Sequence, residues 1–149
     1  MRGNLRRILQ MVQLIVGDKG KGKTKYLLDQ VNAEVKEAEG NIVYLDKSSK
    51  NMHELNNKVR LINVSEYPVK NVDQFLGFIC GVCSQDYDLQ TMYIDSFLKV
   101  AGLEDADITA TILAMDAIGK QFNVNLVVSA SVEADALSDA IKDKVVANC

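Results

Sequence analysis

The sequence predicts an α/β fold, a three-layer α/β/α sandwich with a mainly parallel central sheet, and two observations carry that expectation. Short, nearly continuous apolar runs rich in β-branched residues recur along the chain, and helical apolar patterns separate several of them. Parallel strands need crossovers, and each right-handed crossover deposits a helix on the sheet. Such strands are buried on both faces and lose the alternation of a half-exposed strand.

The elements follow in order. Residues 1–10, MRGNLRRILQ, read as an extension or tail ahead of a domain over 11–149; Leu5, Ile8 and Leu9 with Arg2, Arg6 and Arg7 give them the pattern of a short amphipathic helix. Met11, just before the first strand, marks the edge of the added segment or a second start. Strands are expected at VQLIV (12–16), NIVYLD (41–46), VRLINV (59–64), TMYIDS (91–96), NVNLVVSAS (123–131) and VVAN (145–148). A first helix over 23–38 places Leu27, Leu28, Val31, Val35 and Ala38 on one face and ends near Gly40. Helices over 72–84 and 107–122 follow, the latter capped by Asp107, and 132–143 forms the last. Pro68 falls in a turn after the third strand.

Composition excludes several classes. With 48% apolar and 25% charged residues the chain is neither disordered nor fibrous. No segment approaches the ~20 apolar residues of a membrane span, and the arginine-rich start runs into GDKGKGKT without the small-residue cleavage site of a secretory signal. A cytoplasmic location is expected. A net charge of -3 argues against coating nucleic acid through bulk electrostatics, which leaves nucleic acid as a partner only through a local basic groove. Three cysteines cannot all pair within one chain, which fits a reducing compartment. Cys80 and Cys83 form CxxC late in a helical pattern rather than at a helix start, and with His53 the only histidine they read as core residues.

The specific signal is Gly17, Asp18, Lys19, Gly20, Lys21, Gly22, Lys23 and Thr24, which satisfies GxxxxGK[ST] between an apolar strand and an amphipathic helix. A polyphosphate is densely negative, and a helix N-terminus offers unpaired N–H groups and partial positive charge. Glycines let the backbone wrap closely around it. Lys23 is expected to reach the β- and γ-phosphates and the Thr24 hydroxyl to ligate Mg2+. Lys25 is counted with the nucleotide-contacting residues. Asp18 is unusual beside phosphates; either Lys19 and Lys21 offset it or all three face solvent.

A carboxylate at a strand end should hold the metal through its water shell. Asp95, after Met92, Tyr93 and Ile94 and before Ser96, is preferred over Asp46, which ends the second strand.

With GDKGKGKT and YIDSF in this setting, the chain resembles the P-loop NTPase superfamily and within it the RecA-like branch, over most of residues 11–148. The resemblance implies that the strand ending near Ser129 to Ser131 lies between the loop strand and the Asp95 strand. It also implies that Ser129 or Ser131 occupies a polar sensor position near the γ-phosphate, and that rings or filaments are an option. RecA-like ATPases place a glutamate near the attacking water. Here Ser96 follows Asp95, and the second strand ends in Asp46, Lys47, Ser48 and Ser49. Asp46 is the candidate substitute base, and slow turnover is expected. Arg60, the one arginine outside the first ten residues, is a candidate finger donated to a neighbouring copy.

The expected cofactors are ATP and Mg2+, with ATP by default because Asn57, Lys58, Val59 and Arg60 lack the aspartate of a guanine-reading NKxD motif. Three functions follow: a slow Mg-dependent ATPase or ATP-dependent switch read by a protein partner or homo-oligomer; a nucleotide-binding interaction module without hydrolysis; and a small-molecule kinase. Lys23, Asp95 and Asp46 carry the chemistry in the first.

Overall fold

The computed structural model describes residues 10–20 and 22–149. The amphipathic pattern over residues 2–9 and the side chain of Lys21 lie outside them. Six strands, β1 (Val12–Val16), β2 (Asn41–Asp46), β3 (Arg60–Asn63), β4 (Leu89–Ile94), β5 (Asn125–Ala130) and β6 (Val145–Asn148), form one sheet in the order β3-β2-β4-β5-β1-β6. Every pairing is parallel. β5 therefore sits between the loop strand and the Asp95 strand, as the resemblance implied.

Alternate residues of each strand feed two cores. Val12, Leu14 and Val16 of β1 point to a face covered by α2 (Val72–Ser84) and α4 (Thr109–Phe122), where Phe75, Ile79, Ile112 and Met115 are fully buried. Ile15, Tyr44, Tyr93 and Val127 point to the opposite face, covered by α1 (Lys23–Glu34) through Leu27, Leu28 and Val31. Both faces are dry, which is why the strands read as continuous apolar runs. Met11 is itself core, 1% exposed, with its N–H donating to the buried Asp116 carboxylate at 2.8 Å.

Several boundaries differ from expectation. α1 stops at Glu34, and Val35 and Ala38 pack against the sheet from the turns that follow. Gly40 is no helix cap. It lies at the entry to β2, where an added Cβ would stand 2.4 Å from the Asp88 carbonyl oxygen, so close strand approach explains the glycine. α4 begins at Thr109; Asp107 accepts the Thr109 N–H at 2.8 Å without being the cap residue itself. Residues 132–143 do not form one helix. A 3-10 turn (Ala134–Ala136) and the short α5 (Asp139–Lys142) are separated by extended backbone at Leu137 and Ser138. Leu137 is buried there, and the Ser138 hydroxyl lies 2.9 Å from that of Thr109, tying the break to the start of α4. Cys80 and Cys83 lie within α2 as free thiols; Cys83 is buried, and burial pushes its pKa up to about 12, as expected of a core cysteine, whereas Cys80 is only half-buried and lies outside the core.

Among the described residues no helix is long and apolar enough to cross a membrane.

Candidate functional site

The site forms where the strands end. Val16 closes β1, and Gly17 follows with φ 143 and with the Cys149 carbonyl oxygen only 2.3 Å from where a Cβ would stand. The end of β6 thus presses against the loop, and Gly17 is required by that approach as well as by its backbone angle. Gly20 and Gly22 have φ 76 and 92 in open space, so the left-handed turn alone demands them. Gly22 is the N-cap of α1 and supplies no side-chain cap, and the first turn carries no acidic residue. The leading amides of α1 are left for an anion.

Lys23 is 7% exposed and curls back over the loop, its ammonium donating to the Gly17 carbonyl at 3.0 Å and the Asp18 carbonyl at 2.7 Å. Burial lowers its pKa, against the opposing charges of Cys149, Asp95 and Asp18. Thr24 lines the same cavity one residue on. Lys25 does not reach it: its side chain lies on the outer face of α1, paired with Asp29 at 2.8 Å.

Asp95 is 3% exposed and has a donor on each oxygen. Oδ1 accepts the Ser96 N–H at 2.9 Å and the Ser129 hydroxyl at 2.8 Å, while Oδ2 accepts the Tyr44 hydroxyl at 2.8 Å. Ser96 stands at φ 55, a left-handed angle that costs a non-glycine residue roughly 1–2 kcal/mol. That turn folds its amide back over the carboxylate. Burial, followed by the Asp95 charge and hydrogen bond, pushes the Tyr44 pKa strongly up, so the phenol stays a neutral donor.

Asp46 lies beside Asp95, because β2 and β4 are neighbours with Leu45 opposite Ile94. It is 1% exposed and accepts from the Lys47 N–H at 2.7 Å and the Asn51 amide at 3.3 Å. Burial, and then the charge of Asp95, raises its pKa above the ordinary carboxylate value. Both carboxylates at these adjacent strand ends have a donor on each oxygen, and at Asp46 burial and the neighbouring charge favour the protonated form.

One cavity of about 450 Å³ joins these parts. Lys19, Gly20, Gly22, Lys23 and Thr24 form one wall, with Asp46, Asp95, Ser129 and Ser131 on the floor. Of the two serines, Ser129 is the one bonded to Asp95. Asp18 and Lys19 are both exposed at the outer edge of the loop, as the solvent-facing alternative expects, and a hydrogen bond with Asp18, followed by its charge, raises the pKa of the Glu133 carboxyl. That contact joins the outer edge of the loop to the segment after β5. Arg60 is exposed on the edge strand β3 and does not line the cavity. Sequence reasoning missed Tyr44, which reads as a core aromatic, and missed Lys50, Asn51 and Lys99 on the far wall of the cavity. The tyrosine two residues before Asp46 was the available signal, since it places a hydroxyl on the same strand face as the carboxylates.

The oxygen donors fit magnesium. Thr24 and Asp95 offer a hydroxyl and a carboxylate, and Ser129 and Tyr44 hold that carboxylate in place.

The solved structures most useful for comparison share this architecture. C. elegans PCH-2 matches 93% of this chain with a TM-score of 0.51 and 18% identity, and this chain spans 35% of that one, about a third of its length. The flagellar accessory protein FlaH from Methanocaldococcus jannaschii matches 93% of this chain, which covers 70% of that one, with a TM-score of 0.58 and 11% identity. At these identities the likeness shows a shared fold, a three-layer α/β/α arrangement around a parallel sheet. No family model and no curated protein matches the sequence.

Proposed function

We propose that the protein binds Mg-ATP at Gly17–Thr24 and acts as a slow ATPase or ATP-dependent switch. The observation that carries this reading is the convergence of Lys23, Thr24 and the Ser129-bonded Asp95 on one cavity at the strand ends. The amides from Gly20 to Thr24 would hold the phosphates, and Lys23 would exchange two loop carbonyls for phosphate oxygens. Thr24 and Asp95 would hold the metal; magnesium, when bound, neutralises phosphate charge.

Asp46 is the candidate for taking a proton from water, because its raised pKa makes it a better base than an ordinary carboxylate. An aspartate reaches less far than the glutamate of faster enzymes, so turnover is slow. The segments after β2, β4 and β5 all line the cavity beside the loop, which would let a partner or a second copy read the nucleotide state. Free cysteines are compatible with a reducing, cytoplasmic setting.

The absence of a glutamate beside Asp95 favours a second reading, a binding module without hydrolysis. Multiple-turnover phosphate release with Mg-ATP separates them. An ATPase releases more than one phosphate per chain, and release is lost in Asp95→Asn. Tight binding with no release identifies the module.

A further inference from the structure

The far wall of the cavity is basic, and the nucleotide reading leaves it unused. Lys47 and Lys50 follow β2 and Lys99 lies in α3 (Phe97–Val100), yet all three line the cavity that holds Lys23. Among the described residues none of the three is paired with a carboxylate. Lys47 and Lys99 approach each other closely enough that their mutual contact is the largest cause lowering the Lys47 pKa. Like charges held together without a counter-ion favour an anion between them.

Sheet order sets the distance. From β1, which delivers the phosphate-binding loop, to β2, which delivers Lys47 and Lys50, the sheet steps through β5 and β4. Three strand spacings amount to roughly 14 Å. The phosphate-binding loop is therefore anchored on β1, whereas the second basic wall is anchored on β2 and β4, the strands that also deliver Asp46 and Asp95. Glu104 and Asp105 also line the cavity, and their charge opposes an extended polyanion while offering acceptors to hydroxyl groups.

We propose that Lys47, Lys50 and Lys99 form a second anion subsite, which takes a small phosphorylated, hydroxyl-bearing molecule beside the γ-phosphate of bound nucleotide. The proposal rests on the nucleotide reading for its neighbour and on the cavity for its own geometry. Occupancy of this subsite would bring the ligand next to Asp46, the cavity carboxylate flanked by Lys47.

The test uses the full chain, 15N-labelled and saturated with a non-hydrolysable ATP analogue and magnesium, titrated with ribose 5-phosphate and separately with inorganic phosphate. The expected result is saturable shifts of the Lys47, Lys50 and Lys99 amides. In Lys47→Gln/Lys99→Gln the affinity for ribose 5-phosphate should fall about a hundredfold or more, since two charge-assisted contacts are lost. Affinity for the ATP analogue should change less than about twofold in that variant, a small fraction of the roughly hundredfold step. Inorganic phosphate binding equally well would overturn the hydroxyl-bearing ligand class.

Four other results overturn the proposal: no shifts at these lysines; displacement of the ATP analogue by the probe; a double variant that loses affinity for the triphosphate but not for the diphosphate, which would assign the lysines to the γ-phosphate; or binding of a single-stranded oligonucleotide where the phosphomonoester does not bind. If the ATP analogue itself fails to bind, the nucleotide reading falls separately. The same titration on the nucleotide-free protein then decides the subsite by whether the lysine shifts appear.

Discussion

Removing one hydroxyl tests how Asp95, the carboxylate proposed to hold the metal, is positioned. In Tyr44→Phe, Asp95 loses its only protein donor on Oδ2 among the described residues, while Oδ1 keeps Ser96 and Ser129. Tyr44 is fully buried, and its ring stacks on Tyr93 with centroids 6.2 Å apart, so phenylalanine retains the packing. A hydrogen bond to a charged group is worth ~1.5–3 kcal/mol. For a chain of 149 residues, ~2 kcal/mol lowers the melting temperature by roughly 4–8 °C. Loss of a group that orients a metal ligand should also weaken magnesium-dependent nucleotide binding about ten- to hundredfold. Thermal melts and a magnesium titration of nucleotide binding measure the two effects. On an Asp95→Asn background the stability cost should shrink, because the partner is then neutral, leaving a coupling of ~1 kcal/mol. The reasoning fails if Tyr44→Phe melts lower yet binds magnesium and nucleotide as before, since the tyrosine would then be packing alone.

Two further substitutions have signs fixed by buried charge. Asp46→Asn should raise the melting temperature at neutral pH while lowering turnover, because burial and Asp95 raise the folded pKa of Asp46 and make its ionised form a cost to the fold. That gain should vanish as the pH falls through the ordinary carboxylate value, where the natural side chain also carries a proton; melts across that range check it. For Asp116, burial raises the pKa, but the amides of Met11 and Val12 and the ammoniums of Lys120 and Lys144 outweigh it, and the net shift is downward. Asp116→Asn strands the buried Lys144, 3.6 Å away, and should cost about 2–4 kcal/mol at neutral pH. The deficit should narrow as acid titrates the natural carboxylate through its depressed pKa, and urea unfolding at neutral and acid pH measures it.

Much of the fold was legible because its signals are local. A run such as VQLIV followed by GDKGKGKT specifies strand, loop and helix start together, and the observed β1 and α1 begin where that pattern places them. The wrong expectations fall where tertiary contact decides. Residues 132–143 have apolar spacing that suits a helix, yet Ser138 binds Thr109 across 29 positions and the run breaks there. Gly40 reads as a helix stop, but its reason is the Asp88 carbonyl in the turn that leads into β4. At the site, the loop and the two aspartates are visible as motif and strand ends. Tyr44 and Lys99 are not, because their roles depend on which strands are neighbours, and neighbourhood in a parallel sheet is set by crossovers that no short window contains.

The central claim is that a nucleotide's phosphates occupy the loop, and the most direct measurement is calorimetric titration of ATP with magnesium into the natural chain and into Lys23→Ala. The account predicts saturable one-to-one binding, weakened about tenfold or more when the Lys23 ammonium is removed, in line with loss of a charge-assisted contact of ~1.5–3 kcal/mol. Absence of binding in a folded sample, or equal affinity in the two proteins, would contradict it.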